Sequence, residues 1–218
     1  MTVQLPIPDF AAARRAMIEN QLRPVGVTDP AVLQAMGSVA REQFVPEDNR
    51  PLAYADRSVP IGGGRYLAAP AVLGQLLTQM APKKGERALV VGAGTGYAAA
   101  VLAAVGCDVT ALESSSALAA RAREIGINTV EGPLEEGHSA GVPYDLIVID
   151  GAVEFIPDAI IQQLVDGGRL GAALAEGGVT RLIVGQKVAG AFGYLSISDA
   201  AVAALPGFSR PRGFRFER

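Results

Sequence analysis

Apolar positions along the chain change their spacing near residue 87. Before this point, apolar residues recur at helical intervals in three stretches that begin near Asp9, Asp29 and Pro70. An aspartate side chain caps a helix N-terminus well, and proline is favoured in the first helical turn. The first part of the chain is therefore predicted to contain three helices joined by loops.

Beyond residue 87, short apolar runs alternate with stretches of helical spacing. Fully apolar runs are typical of parallel strands that are buried on both faces. The predicted strands are 88–91, 109–112, 128–131, 146–149 and 169–174, followed by an antiparallel pair at 181–188 and 194–198. Alternating strands and helices favour a doubly wound α/β sheet with helices on both faces.

Two segments outside these elements are also distinctive. Residues 54–69 contain the triplet Gly62-Gly63-Gly64 and are expected to be irregular. A glycine triplet serves either a tight turn or a close approach of backbone to a ligand. Near the C-terminus, Phe214 and Phe216 alternate with arginines, which predicts a half-buried final strand.

Composition narrows the possible classes of protein. The 218 residues carry a formal net charge of −3, and a duplex nucleic-acid binder normally has a basic face, so we expect no nucleic-acid partner. No uninterrupted apolar run reaches membrane-spanning length, and the N-terminus has no signal-peptide pattern, so the cytoplasm is the expected location. The single cysteine, Cys107, leads us to expect neither an intramolecular disulfide nor a metal site.

A glycine-rich turn follows the first predicted parallel strand. Gly92-Ala93-Gly94-Thr95-Gly96 would lie at the carboxyl end of the sheet, where open α/β sheets bind ligands. Glu113 ends the next strand, 21 residues after Gly92, a spacing that suits a carboxylate accepting both ribose hydroxyls of an adenosine. The bulky Tyr97 follows the turn, which favours S-adenosylmethionine over a dinucleotide. An incidental glycine-rich turn is the alternative.

Four blocks of sequence resemble the protein-L-isoaspartate O-methyltransferases, which repair damaged aspartyl and asparaginyl residues. Residues 39–46 are similar to the family's V-P-R-E-x-F-V-P, and residues 53–62 to its A-Y-x-D-x-x-L-P-I-G. Residues 89–102 resemble its L-E-I-G-T-G-S-G-Y-Q-A-A-V-L. Ile156-Pro157, followed by Gln163-Leu164 and Gly167-Gly168, matches its I-P … Q-L … G-G. The resemblance runs in the family's order over residues 12–188.

The resemblance implies a single class I methyltransferase (Rossmann-like) domain that binds S-adenosylmethionine. Its sheet would have seven mostly parallel strands, with residues 1–82 as a helical cap and substrate-side loops and residues 83–218 as the cofactor-binding core. The cofactor-binding residues that it implies are Leu67, Gly92, Ala93, Gly94, Thr95, Gly96, Tyr97, Glu113, Pro133 and Leu134. The acceptor would be the isoaspartyl carboxylate of a damaged protein or peptide.

The departures from the family lie where the chemistry is expected. Residues 64–70 read G-R-Y-L-A-A-P where the family has G-Q-T-I-S-Q-P, so Ala68 replaces a serine that handles the acceptor carboxylate. Pro133 replaces an aspartate that reads the adenine amino group, and Val90 replaces a glutamate. Asp150 stands where the family has threonine, which adds a carboxylate beside the expected transfer site.

These departures leave alternatives open. Asp150 either orients a hydroxyl or amine acceptor or only caps the following turn. The protein is then an isoaspartate methyltransferase, a methyltransferase of another protein or small-molecule acceptor, or a cofactor-binding protein that has lost repair activity. Ala68 and Asp150 both disfavour an anionic acceptor, because one removes a hydrogen-bonding hydroxyl and the other adds negative charge.

Overall fold

The structure is a computed structural model that describes residues 9–210. The predicted final strand around Phe214 and Phe216 lies outside these residues. Within them, no helix is both long enough and apolar enough to cross a bilayer.

Three helices form in the first part of the chain, as the spacing predicts. They are α1 (Phe10–Met17), α2 (Pro30–Ser38) and α3 (Pro70–Met80). The carboxylate of Asp9 accepts the Ala12 N–H at 2.9 Å, and that of Asp29 accepts the Ala31 N–H at 2.8 Å. The two aspartates therefore begin their helices by satisfying free backbone donors.

The stretch between α2 and α3 contains a hairpin, so the expectation of an irregular segment is wrong there. Strands β1 (Val59–Gly62) and β2 (Arg65–Leu67) pair antiparallel. Gly62, Gly63 and Gly64 all have positive φ, which a tight reversal requires and glycine adopts without strain. Strands of four and three residues are too short to show a clear alternation in the sequence.

The main sheet has seven strands, in agreement with the prediction. They are β3 (Arg87–Val91), β4 (Asp108–Glu113), β5 (Thr129–Glu131), β6 (Tyr144–Val153), β7 (Leu164–Glu176), β8 (Val179–Val188) and β9 (Ala191–Asp199). Their order is β5-β4-β3-β6-β7-β8-β9; β8 runs antiparallel to both β7 and β9, and the other neighbouring strands are parallel. The chain leaves β3 for β4 on one side and later returns to β6 on the other. The crevice at the carboxyl ends of β3 and β6 is therefore the topological switch point, where such sheets bind ligands.

Helices cover both faces of the sheet. The remaining ones are α4 (Tyr97–Val105), α5 (Ser116–Glu124) and α6 (Asp158–Gln162). On one face, Val90 and Val148 share a buried cluster with residues of α1 to α5. On the other face, Val91 and Ile149 share a cluster with α6 and with two residues near the C-terminus, Leu205 and Phe208.

A buried arginine joins the N-terminal helices to the core. Arg41 is 1% exposed, and its Nε donates to the carbonyl of Ala53 at 2.7 Å, while Nη2 donates to the carbonyl of Ala68. Its guanidinium carbon lies 4.6 Å from the ring centroid of Tyr97, a cation–π contact. Because Tyr97 opens α4 directly after the glycine-rich turn, Arg41 connects that turn to the loops that surround it.

The block at residues 39–46 also contacts the turn and α4 through Phe44, and α5 through Val45. The Phe44 ring packs edge-on against Tyr97, with 5.4 Å between centroids. The Thr95 hydroxyl donates to the Phe44 carbonyl at 2.6 Å, and Arg121 on α5 donates to the Val45 carbonyl at 2.9 Å. This block, which resembles part of the repair methyltransferases, therefore packs the N-terminal part of the chain against the glycine-rich turn and α5.

We expect Arg41→Ala to destabilise the protein by about 2–4 kcal/mol, because the change leaves the Ala53 and Ala68 carbonyls without this donor and opens a cavity against Tyr97. Urea unfolding measures the loss. Arg50→Ala is the matched control, since Arg50 is exposed and lies 3.9 Å from Glu47, and its effect should stay below about 0.5 kcal/mol. Equal effects of the two substitutions would contradict the structural role of Arg41.

Candidate active site

The glycine-rich turn lies at the switch point and is tightly covered. Gly92, Gly94 and Gly96 have φ values of 72°, 57° and 96°, which a residue with a side chain rarely adopts. A Cβ added to Gly92 would lie 2.6 Å from a methyl carbon of Leu205, and one added to Gly94 would lie 2.7 Å from Ile61. The bare backbone of the turn is therefore in contact with other parts of the chain.

The Glu113 carboxylate, at the end of β4, is completely buried and fully hydrogen-bonded. Its oxygens accept the backbone N–H groups of Gly94 (2.7 Å), Ser114 (2.9 Å) and Ser115 (3.0 Å). Nη1 of Arg65 donates to both oxygens, at 2.8 and 3.0 Å. A carboxylate offers about four acceptor positions, and these donors use all of them.

Arg65 was not among the residues that the sequence singled out. It begins β2 and is buried, and its Nη2 also donates to the Gly92 carbonyl at 2.7 Å. The available signal was an arginine at a position where the related proteins have glutamine, three residues before Ala68. The hairpin thus carries a cation into the centre of the predicted cofactor site.

The stretch of chain after β9, residues 202–210, lies across the carboxyl end of the sheet; we call it the C-terminal segment. The Ala152 N–H donates to the Ala203 carbonyl and the Leu205 N–H to the Ala152 carbonyl, both at 2.8 Å. The Leu205 side chain is buried between Gly92 and Gly151. It therefore fills the crevice between β3 and β6.

The same segment continues toward the end of β5. Phe208 is buried in the cluster that also holds Leu134, and its ring centroid lies 6.2 Å from that of Phe155. The Phe208 carbonyl accepts the Glu154 N–H at 3.1 Å. Nothing in the sequence marked this segment, because it has no periodic pattern of apolar residues.

The two residues predicted for the acceptor side come together. Ala68 and Asp150 line one small cavity with Ser58, Arg65 and Tyr66. The cavity volume is about 10 Å³, which is space for one water molecule. The side chain of Leu67 points away from solvent and is buried.

The remaining predicted residues surround the turn without forming one open pocket. Ala93, Thr95, Tyr97 and Leu134 are buried. The Thr95 hydroxyl is used by the Phe44 carbonyl, and the Tyr97 hydroxyl has no hydrogen-bond partner among residues 9–210. Pro133 is exposed and precedes the single helical turn Leu134–Glu136.

Asp150 carries a perturbed carboxyl group. Burial raises its pKa from 3.8 to about 6, and Glu113 adds to this effect, whereas the nearby cations Arg65 and Arg41 oppose it. No hydrogen bond from the described residues reaches its side chain, so the structure gives no support to the capping role.

The raised pKa makes the contribution of Asp150 to stability pH-dependent. The folded state holds the Asp150 proton more tightly than the unfolded state, so the stabilisation is present below about pH 4 and is lost as the pH rises through about 6. We therefore expect the stability of Asp150→Asn, relative to that of the wild type, to increase by about 1–2 kcal/mol when the pH is raised from 4.5 to 7.5. The expected difference is smaller than the full shift in pKa implies, because the residue is partly exposed. Urea unfolding of both proteins at the two pH values measures this, and a pH-independent difference would contradict it.

Comparisons with known proteins agree with this architecture. The sequence profile described as Protein-L-isoaspartate(D-aspartate) O-methyltransferase matches residues 12–192. The Protein-L-isoaspartate O-methyltransferase of Methylorubrum populi is 44% identical over 165 residues, covering 73% of this chain and 78% of its own. The Protein-L-isoaspartate O-methyltransferase of Koribacter versatilis is 35% identical over 216 residues, covering 95% of this chain and 96% of its own.

Solved structures share the fold. A putative protein-L-isoaspartate O-methyltransferase from Plasmodium falciparum, in complex with S-adenosyl-L-homocysteine, superposes with a TM-score of 0.76 at 21% identity, covering 88% of this chain and 97% of its own. A second protein-L-isoaspartate O-methyltransferase structure gives a TM-score of 0.79 at 23% identity, covering 89% of this chain and 66% of its own. The family profile and the curated relatives, taken with this fold, show that the chain belongs to the protein-L-isoaspartate O-methyltransferase family.

Proposed function

We propose that this protein transfers the methyl group of S-adenosylmethionine to the carboxylate of an isoaspartyl residue in a damaged protein or peptide. The observation that carries the proposal is the Glu113 carboxylate, which lies directly against the glycine-rich turn at the switch point of the sheet. We place this activity in the cytoplasm, a reducing compartment in which a free thiol such as Cys107 persists.

The residues at this site fit the cofactor in chemistry. A buried carboxylate suits two ribose hydroxyls, and the positive-φ glycines leave bare backbone for the methionine end. Leu134 and Pro133 would hold the adenine by apolar contact. Bound here, S-adenosylmethionine supplies a methyl group on a sulfonium, which a nucleophile takes by direct displacement.

The protein's own residues mainly have to position the acceptor and exclude water. An isoaspartyl carboxylate is already ionised at neutral pH and needs no general base. Ala68 offers no side-chain hydrogen bond to hold it. Orientation therefore depends on the charged groups around the small cavity and on the closed surface that keeps water away.

The structure changes the expected charge at the acceptor side. From the sequence, Asp150 adds an unbalanced negative charge that repels an anionic acceptor. Arg65 lines the same cavity, and Arg41 acts on Asp150 through its charge. These two cations offset Asp150 and Glu113, so repulsion of an isoaspartyl group is weaker than Asp150 alone would cause.

A hydroxyl or amine acceptor is the second candidate. It is favoured by Asp150, whose pKa of about 6 suits a general base near neutral pH. Such an acceptor must lose a proton when it takes the methyl group, and Asp150 lines the cavity where it would lie. An isoaspartyl carboxylate is already ionised and does not require a general base.

We expect wild-type transfer to an isoaspartyl peptide to be weak and to rise when Ala68→Ser and Asp150→Thr are combined, because the pair restores a hydroxyl and removes a negative charge. The expected gain in kcat/KM is about tenfold for the double variant, larger than for either single change. Transfer of labelled methyl to an isoaspartyl peptide measures it, beside the aspartyl peptide as substrate control.

Asp199→Thr is the matched protein control, since Asp199 lies at the end of β9 and pairs only with Arg181 among the described residues. Wild-type turnover that Asp150→Thr leaves unchanged would show that Asp150 has no part in acceptor recognition. Methylation of a hydroxyl or amine panel that Asp150→Asn abolishes would instead favour the second candidate.

The site should also prefer S-adenosylhomocysteine to NAD. The residue after Gly96 is the buried Tyr97, which leaves no room for the close helix approach that a pyrophosphate needs. Calorimetric titration of the full chain with each ligand decides between them. Tighter binding of NAD would overturn the proposed cofactor, whatever the acceptor.

A further inference from the structure

We propose that the protein closes its own cofactor site, with Arg65 holding the ribose position and Leu205 holding the place beside the glycine-rich turn until the cofactor displaces both. This inference rests on the proposed function, because it concerns the same site. It assigns a gating role to Arg65 and to the C-terminal segment.

The first argument concerns the groups that donate hydrogen bonds to the Glu113 carboxylate. Gly94, Ser114 and Ser115 donate from the turn and the loop that form the site, so their N–H groups cannot leave without unfolding it. Arg65 is the donor that comes from a separate element, the hairpin. Ribose hydroxyls can therefore reach the carboxylate only by replacing Arg65.

The second argument concerns the bare face of Gly92. A Cβ there would lie 2.6 and 2.9 Å from the two methyl carbons of Leu205, so the side chain occupies the space that the glycine leaves free. The cavity that remains beside it is about 10 Å³, whereas sites for ligands of this size are on the order of hundreds of Å³. The cofactor and Leu205 exclude each other.

Both blocking groups are carried by elements that can move. Three backbone hydrogen bonds tie Ala203, Leu205 and Phe208 to Ala152 and Glu154, and the Arg210 N–H donates to the Glu154 carboxylate. Among the described residues, the segment forms one isolated bridge with the sheet and belongs to no strand. The hairpin turns on three glycines, Gly62, Gly63 and Gly64, and all three are exposed. Segments with few such anchors open at lower free energy than the core strands.

Arg65 has a second partner available when it leaves Glu113. Asp150 lines the same cavity, and the two side chains already interact through their charges. Both residues depart from the family pattern, which has glutamine and threonine at these positions. In the open state Arg65 pairs with Asp150, so that neither charge is left without a partner.

Calorimetric titration of the full chain with S-adenosylhomocysteine tests the gate. Arg65→Gln and Leu205→Ala should each tighten binding by about tenfold, because each raises the fraction of open sites, and the double variant should bind more tightly than either. Arg181→Gln, which removes an exposed ion pair with Asp199, and Leu22→Ala, which truncates a buried leucine that lies beside Gly74 of α3, are the matched controls. Neither control should change the affinity.

Hydrogen exchange gives a second readout that does not depend on the variants' stability. Adding S-adenosylhomocysteine to the wild type should speed amide exchange in residues 202–210, because the segment leaves the sheet, while β7 and β8 stay protected. An ordinary bound ligand would slow exchange at the surface it covers. Faster exchange in residues 202–210 therefore supports the gate, and slower exchange contradicts it.

The outcomes separate this inference from the proposed function. Binding that is equally tight in wild type, Arg65→Gln and Leu205→Ala, with slower exchange in the segment, overturns the gate and leaves the proposed function standing. A lack of binding in all variants, each shown to be folded by its unfolding transition, overturns the proposed cofactor and the gate with it.

Discussion

The buried ion pair between Arg65 and Glu113 is the interaction on which the site depends. A carboxylate that is 0% exposed is costly unless a cation and hydrogen-bond donors surround it. Here one guanidinium bridges both oxygens and also holds the Gly92 carbonyl. The glycine-rich turn and the end of β4 are joined by the Gly94 N–H and by backbone bonds to Leu112, and the Arg65 side chain fixes the hairpin to both. A neutral ribose could replace the hydrogen bonds that Arg65 donates to Glu113, but it could not replace the positive charge of Arg65.

The location of this pair follows from the topology of the sheet. The carboxyl ends of β3 and β6 form a crevice, because the chain runs away from this point in opposite directions. In this protein the crevice is filled from two sides, by Arg65 of the hairpin and by Leu205 of the C-terminal segment. The family profile ends at residue 192, so Leu205 lies beyond the part of the chain that the profile matches.

The sequence allowed the sheet, the glycine-rich turn and Glu113 to be predicted, because each leaves a local pattern. Buried parallel strands are continuous apolar runs, and a carboxylate that binds a ribose in such folds has a fixed spacing from the turn, which predicted that Glu113 lies beside it. The Arg65–Glu113 pair joins residues 48 positions apart, and no local pattern encodes such a contact. Leu205 is one apolar residue in a loop, and its burial depends on the shape of the crevice that it enters.

Asp150 and Arg65 are best understood together. Taken alone, the carboxylate predicts repulsion of an anionic acceptor, and the arginine predicts attraction. The structure places both at one small cavity, with Arg41 close enough to act on Asp150. Two charges that are absent from the family pattern thus largely cancel, and removing one of them exposes the other. The effect of substituting Asp150 therefore reports on Arg65 as well, and the two contributions separate only when each residue is changed in the presence and the absence of the other.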